Sequence, residues 1–261
     1  MKKTRIHGVW ILFLLSVVTC LQVKAQYMPV VFDKVYGDKN QIQLVCPLPG
    51  DEVALVGKEG QKYNLTWVER EGDVVFSLPL TGFTAVNEIA ELDNNRVLVV
   101  GQSTMPNVKG KKDRITLCGR IAVVERNGRI VTDIYAGDQG SNFLKGMLLR
   151  SGAFVVSGSE PKGADGRQGI LLKLDPTGSV VYQYKNAGGG YCDQFAVMGN
   201  SIEYICAAFS AGKDKEQALV VRLDDKGKPY YMTAIPAKQF VVTGLNANIN
   251  DGSVLVIGNS P

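Results

Sequence analysis

The chain has 261 residues, 45% hydrophobic and 21% charged, with 29 Lys and Arg against 25 Asp and Glu. Four of the basic residues, Lys2, Lys3, Arg5 and Lys24, fall within residues 1–25, which carry no acid; setting them aside leaves 25 basic against 25 acidic residues and no net charge. That balance gives no footing for nucleic-acid binding, and because His7 is the only histidine, the remainder cannot build a histidine triad, a histidine-ligated metal site or an imidazole acid–base pair.

Residues 1–25 read as a signal peptide. Lys2, Lys3 and Arg5 form a positive start, Val9 to Leu21 is an apolar run of signal-peptide length, and Val23-Lys24-Ala25 predicts cleavage before Gln26. The expected address is therefore the periplasm, the outer surface or the medium. A rival reading makes Cys20 a lipidated N-terminus, after Val17-Val18-Thr19, but Thr19 fits poorly before that cysteine. No later segment is long enough for a membrane span.

After Pro29–Gly37, a strand-like stretch, residues 26–261 are expected to form one domain built from an internal repeat. Four segments share an apolar strand, an acid, a short turn closing in glycine, and a second strand. They are Leu65–Gly72, Ile121–Gly128, Leu171–Gly178 and Val220–Gly227, and their glycines are 56, 50 and 49 residues apart. Glu69, Glu125, Asp175 and Asp224 each stand three residues before the glycine.

A second motif interleaves with the first. It runs Val53–Gly57, Val97–Gly101, Phe154–Gly158, Tyr204–Ala208 and Val254–Gly258, at spacings of 44, 57, 50 and 50. Each period holds two further strand-like stretches, such as Val86–Leu92 before the second motif and Val180–Tyr184 after the glycine turn. Four short strands per period of about 50 residues, with no sustained helical period, predict an all-β propeller of about five four-stranded blades. Four full units are followed by the first two strands of a fifth. Pro29–Gly37 could close the ring at Ser253–Gly258; the alternative is a larger propeller truncated at its C-terminus.

The unit of strand, acid-x-x-Gly, strand and glycine-rich link resembles the repeats of bacterial secreted propellers of the quinoprotein-like type. Those repeats often carry tryptophan four residues after the turn glycine; here the positions hold Phe76, Thr132, Tyr182 and Tyr231. The resemblance implies the propeller fold but no quinone site. Trp67, the sole tryptophan after residue 25, lies on a strand, and no motif suggests a cofactor.

Four cysteines follow the leader: Cys46, Cys118, Cys192 and Cys206. A hairpin centred on Gly199-Asn200 would set Cys192 roughly opposite Cys206, which makes them candidates for a disulfide in an exported protein; two buried thiols are the other reading. The acids Glu69, Glu125, Asp175 and Asp224 are expected to serve their turns rather than a catalytic ring. Asn186–Tyr191 is glycine-rich, but a strand follows it, so it is expected to be a link between blades, with Gly188 and Gly189 in conformations closed to other residues.

The loops after the second-motif strands, Lys58–Lys62, Ser103–Arg114, Ser159–Gln168 and Ser210–Gln217, share one face. The longest holds the only local basic cluster, Lys109, Lys111, Lys112 and Arg114, which is the candidate site for an anionic glycan or an acidic protein surface. The functional expectation is an exported, non-catalytic binding module of the cell envelope, taking a protein or glycan without a metal or cofactor. The alternative is a carbohydrate-active enzyme with paired carboxylates in the central funnel.

Overall fold

The computed structural model describes residues 41–93, 95–105, 117–163, 166–186, 190–198, 204–210, 217–236, 240–248 and 253–259. All of them lie in one compact unit, Val35–Pro261. Pro29–Gly37, Gly188, Gly189 and the Gly199-Asn200 turn lie outside the described residues.

The fold is an all-β propeller, which among the described residues has four four-stranded blades and a two-stranded fifth sheet. Blade 1 is β1 (Gln41–Leu48), β2 (Glu52–Glu59), β3 (Lys62–Val68) and β4 (Val74–Pro79). Blade 2 is β5 (Phe83–Asp93), β6 (Arg96–Thr104), β7 (Leu117–Glu125) and β8 (Ile130–Ala136). Blade 3 is β9 (Asn142–Leu148), β10 (Phe154–Lys162), β11 (Gly166–Leu174) and β12 (Val180–Lys185). Blade 4 is β13 (Cys192–Met198), β14 (Tyr204–Phe209), β15 (Gln217–Leu223) and β16 (Pro229–Pro236). The fifth sheet pairs β17 (Val241–Ala247) with β18 (Val254–Asn259). Every sheet is an antiparallel meander in chain order. Among the described residues no helix is long and apolar enough to cross a membrane.

Successive first strands lie beside one another, from β1 to β5, β9, β13 and β17, so they form the inner wall. The fourth strands β4, β8, β12 and β16 are outermost and largely exposed. The middle strands are buried on both faces, which is why Val97–Val100 and Ile170–Leu172 read as unbroken apolar runs. Four apolar clusters result, each between two successive sheets. Blade 1 meets blade 2 through Trp67, Leu65 and Val99; blade 3 meets blade 4 through Leu171, Phe195 and Phe209. Each fully buried Leu or Val stabilises by roughly 1.5–3 kcal/mol, so the blades hold one another folded.

The turn glycines have two jobs. Gly72, Gly128, Gly178 and Gly227 sit at φ of 82°, 82°, 92° and 77°, and each N–H donates to the carbonyl of the acid three residues before. Three of them also receive a side chain from the preceding blade: Phe76 lies on Gly128, Ile134 on Gly178 and Tyr182 on Gly227. Of the positions singled out in the sequence, Phe76 and Tyr182 are thus blade-to-blade contacts, Ile134 takes the place of Thr132 in blade 2, and Tyr231 is half exposed.

Asp175, Asp224 and Glu125 serve their turns as expected, by two routes. Asp175 Oδ1 accepts the N–H groups of Thr177 and Ser179, and Asp224 Oδ1 those of Lys226 and Lys228. The longer Glu125 cannot make this local bond. Asn127 Oδ1 takes the Arg129 N–H instead, and the Glu125 carboxylate pairs with Arg129.

The second-motif glycines answer a different need. Each inner strand carries a β-bulge, and Gly57, Gly101, Gly158 and Gly258 stand opposite it, where a Cβ at Gly101 or Gly158 would come within 2.0 or 2.1 Å of the Ala85 or Asn142 carbonyl oxygen. In blade 4 the motif has Ala208, and there the irregularity is displaced by one pair, falling between the partners of Phe209 and Ala208.

The Cys192–Cys206 pairing is corrected. Cys46, Cys118, Cys192 and Cys206 are free, buried thiols. Met198 pairs with Tyr204, so the register places Cys206 opposite Ala196 and Cys192 opposite Phe209. The two cysteines also serve opposite faces of blade 4, Cys192 toward blade 3 and Cys206 toward the fifth sheet. Burial pushes the Cys206 thiol up to about 11 and raises Cys192 as well, which leaves both inert. A thiol reagent is expected to label none of the four in the native protein and all of them after denaturation. Dithiothreitol should leave the melting temperature unchanged; a lower melting temperature in reductant would contradict the assignment.

Candidate functional site

Two of the loops expected on one face are shorter than the sequence suggests. β2 and β3 extend to a tight turn at Gly60-Gln61, and β10 and β11 extend to residues 163–165, because Ser159 and Glu160 pair with Gly169 and Gln168. Lys109, Lys111, Lys112 and Arg114 lie outside the described residues.

Beneath this face runs a layer of buried polar groups, which pattern alone did not reveal. In blade 2, Arg120 sits between the rings of Phe83 and Tyr135, 4.4 and 5.0 Å from its guanidinium carbon. Its Nε and Nη2 donate to the two Asp133 oxygens at 2.7 and 3.0 Å, and Nη1 donates to the Thr81 carbonyl at 2.6 Å. In blade 3, Glu160 is 1% exposed and meets Lys185 Nζ at 2.5 Å and Gln168 Nε2 at 2.6 Å. Lys185 also reaches Asp138 at 2.8 Å. Burial works against the Lys185 charge, yet the bonds to Asp138 and Glu160 hold its pKa above the ordinary value, and Lys185 in turn lowers Asp138.

At the bulges of the inner strands stands a second set of polar residues, Asn87 in β5, Asp193 in β13 and Thr243 in β17. Bonds from these and their neighbours run from blade to blade. Asn87 Nδ2 donates to Asn142 Oδ1 at 2.7 Å and to the Phe143 carbonyl at 2.6 Å. The Glu88 carboxylate accepts the Gly146 N–H at 2.5 Å, and Lys145 Nζ donates to Gln194 Oε1 at 2.9 Å. Ser210 Oγ donates to Asp193 and accepts the Val242 N–H. Burial raises the pKa of Glu88, against the Gly146 N–H and the Lys145 charge; burial also raises Asp193, against its bond to Ser210.

At the opposite end an open cleft of about 950 Å³ lies between the hairpin turns of blade 2, with Val75, Asp93, Asn95, Arg96, Glu125 and Arg126 among its lining. Its charges are paired. Arg96 pairs with Asp93 at 2.6 Å, and Arg126 grips Glu52 of blade 1 through Nε and Nη2. Glu52 also accepts the Trp67 indole N–H at 2.6 Å. The Arg126 bond holds Glu52 below its ordinary pKa near 4.5, with Trp67 adding to the effect against burial. Stability from this joint is therefore fully present above about pH 4.5 and lost as pH falls through the lowered value. Glu52→Gln is expected to lower the melting temperature at pH 7 and to have less effect in stronger acid, as thermal melts across pH would read; an equal loss at every pH would refute the ion-pair account.

Among the described residues no group of three or more His, Cys, Asp and Glu is placed to hold a metal ion. The inner-wall residues Glu88, Lys145 and Asp193 escaped the sequence reading because each blade puts a different residue at the bulge. The positional signal was the glycine of the facing strand.

No family model matches the chain, and no curated protein matches it by sequence. Among solved structures it is similar to a Bacteroides caccae protein of unknown function, at 15% identity and a TM-score of 0.43, over 78% of this chain and 71% of that one. It is also similar to the Synechocystis apocarotenoid oxygenase (Glu150Gln mutant), at 11% identity and a TM-score of 0.49, over 86% of this chain and 58% of that one. A subtype N10 neuraminidase-like protein of A/little yellow-shouldered bat/Guatemala/060/2010 shares 10% identity at a TM-score of 0.40, over 76% of this chain and 60% of that one. The chain thus spans less than two thirds of the length of the last two.

Proposed function

We propose that the protein is an exported, non-catalytic propeller of the cell envelope that holds a protein or glycan partner on its loop face. The observation that carries the reading is the state of the inner-wall titratable groups. Glu88 is bound to the Gly146 N–H, Lys145 to Gln194 and Asp193 to Ser210, so each of them serves as a joint between strands or blades. A general acid or base must have the proton it moves on a substrate within hydrogen-bond reach; these three groups direct that reach to neighbouring strands. The signal-peptide pattern of residues 1–25 supports export, and the basic run at Lys109, Lys111, Lys112 and Arg114 supports an anionic glycan or acidic protein surface as partner.

The carbohydrate-active alternative draws on one observation: Glu88 and Asp193 both have raised pKa values, as a general acid requires. Two measurements separate the readings. Reversing the four basic residues to Glu is expected to weaken capture of acidic glycans or envelope proteins by at least about tenfold, a loss of about 1.4 kcal/mol. Glu88→Gln is expected to leave that capture intact and to melt no lower at pH 8, since the amide oxygen still accepts the Gly146 N–H without a buried charge. Glycan hydrolysis abolished by Glu88→Gln or Asp193→Asn would sink the binding-module reading.

A further inference from the structure

At the end opposite the loops the blades follow one plan, and blade 2 departs from it. The residue before the second motif is Glu52, Arg96, Ala153, Glu203 or Ser253, and the residue after the turn acid is Arg70, Arg126, Pro176 or Asp225. Arginine stands at both positions in blade 2 alone. Arg126 has a structural duty, since it joins blade 2 to blade 1 through Glu52. Arg96 carries less weight: its pair with Asp93 is 41% exposed on both sides, and such pairs add little stability.

Both arginines line the open cleft of about 950 Å³, a size within the roughly 300–1,000 Å³ of small-ligand sites. Its walls are pinned. The Asp93 carboxylate accepts the Asn95 N–H, the Arg126 N–H donates to the Asn95 carbonyl at 2.7 Å, and Asn127 Oδ1 accepts the Arg129 N–H. Arg96 commits Nε and Nη2 to Asp93, and Arg126 commits the same two nitrogens to Glu52. Nη1 of each guanidinium has no partner among the described residues, and the fork holds it rigid. The acceptors are equally fixed. Arg96 keeps Asp93 below the ordinary carboxylate range, and Arg129 does the same for Glu125, so both are ionised at neutral pH. Val75, the extra residue of the bulge in β4, adds an apolar side chain to the lining.

We infer that this cleft, with its paired arginines and carboxylates, binds a neutral oligosaccharide. Among the described lining residues two guanidiniums accompany two carboxylates, so the cleft offers donors and acceptors without net charge. An anion would meet Asp93 and Glu125, and a cation would meet Arg96 and Arg126. A sugar hydroxyl both donates and accepts, and neighbouring hydroxyls match forked groups such as guanidinium and carboxylate. Val75 gives the C–H face of a sugar ring an apolar surface to pack on. Groups already fixed by the protein reduce the ordering cost of binding. The inference goes beyond the loop-face reading, since it adds a second site, at the other end of the molecule, for an uncharged ligand.

The test uses the purified full chain, isotopically labelled, titrated with maltohexaose, cellohexaose, xylohexaose and mannohexaose, and with hexagalacturonate as the acidic probe. Saturable binding of at least one neutral probe is expected, with amide shifts at Asn95, Arg96 and Glu125–Asn127. Arg96→Ala should weaken that binding at least about tenfold and leave the melting temperature unchanged. Val75→Asp should weaken it too, by removing the apolar contact. Arg126 is kept intact, because its loss would also loosen the joint to blade 1. Reversal of Lys109, Lys111, Lys112 and Arg114 to Glu should not change binding of the neutral probe, so a loss of acidic-glycan capture in that variant bears on the loop site alone. The inference is overturned if no neutral probe binds, or if Arg96→Ala and Val75→Asp bind as the wild type does. It is also overturned if the Arg96-dependent ligand is hexagalacturonate, which would assign the cleft to an anion, or if loop reversal abolishes neutral binding, which would assign that binding to the loop face.

Discussion

Gly158→Val is expected to lower stability by about 3 kcal/mol or more, or to prevent folding, a size reserved for forced overpacking in a core. The cause is a backbone contact. A Cβ at Gly158 would sit 2.1 Å from the Asn142 carbonyl oxygen and 2.9 Å from the Phe143 Cα. No rotamer change relieves it, because the crowding atoms belong to the bulged strand β9 itself. Gly101→Val meets the Ala85 carbonyl oxygen at 2.0 Å and should behave alike. Gly163→Ala is the control: its Cβ meets nothing within 4 Å, and only its φ of 67° resists the change, at a cost of about 1 kcal/mol. Urea unfolding midpoints would measure all three, and a Gly158→Val midpoint near that of Gly163→Ala would refute the contact. In blade 4, where the position holds Ala208, the bulge lies one pair away and a methyl group is admissible.

Arg120→Ala should cost about 3 kcal/mol, near the lower end for breaking a buried ion pair because Asp133 retains some solvent contact. The change strands the Thr81 carbonyl and the Asp133 carboxylate together, and it empties the space between the Phe83 and Tyr135 rings. Arg120→Lys keeps the charge but cannot reach both Asp133 oxygens and the Thr81 carbonyl at once, so an intermediate loss of about 1–2 kcal/mol is expected. Arg120→Met combined with Asp133→Leu removes both charges and should recover part of the loss. Denaturant titration distinguishes these outcomes. Equal stability of the Ala and Lys variants would show that ring packing, rather than the forked bond, holds this part of blade 2.

The two motifs were legible in the sequence because each is imposed by backbone geometry common to every blade. The acid-x-x-Gly turn needs a glycine at positive φ, and four copies at nearly constant spacing announce it. The second motif was equally visible, but its reason was not. Periodicity shows that Gly101 and Gly158 recur; only the pairing of β5 with β6 and β9 with β10 shows the bulge that requires them. Tyr182 and Tyr231 make the same point from the other side. They stand at one repeat position, yet one is buried by the next blade and the other is half exposed.

The sequence by itself determined the strand order, the meander within each blade, the double-sided burial of the middle strands and the duty of the turn acids. Each of these depends on neighbours close along the chain, so local pattern encodes it. Only the tertiary structure decided how the cysteines lie, which residues join the inner wall, and where the polar layer beneath the loops is buried. Cys192 and Cys206 went astray because the register rests on a connection longer than a two-residue turn, and one register step turns a side chain to the other face. Glu88, Lys145, Asp193 and Arg120 share no motif, for their roles come from contacts with adjacent strands or blades. A repeat specifies the blade, while its polar contacts are set by whichever residue each neighbouring strand presents.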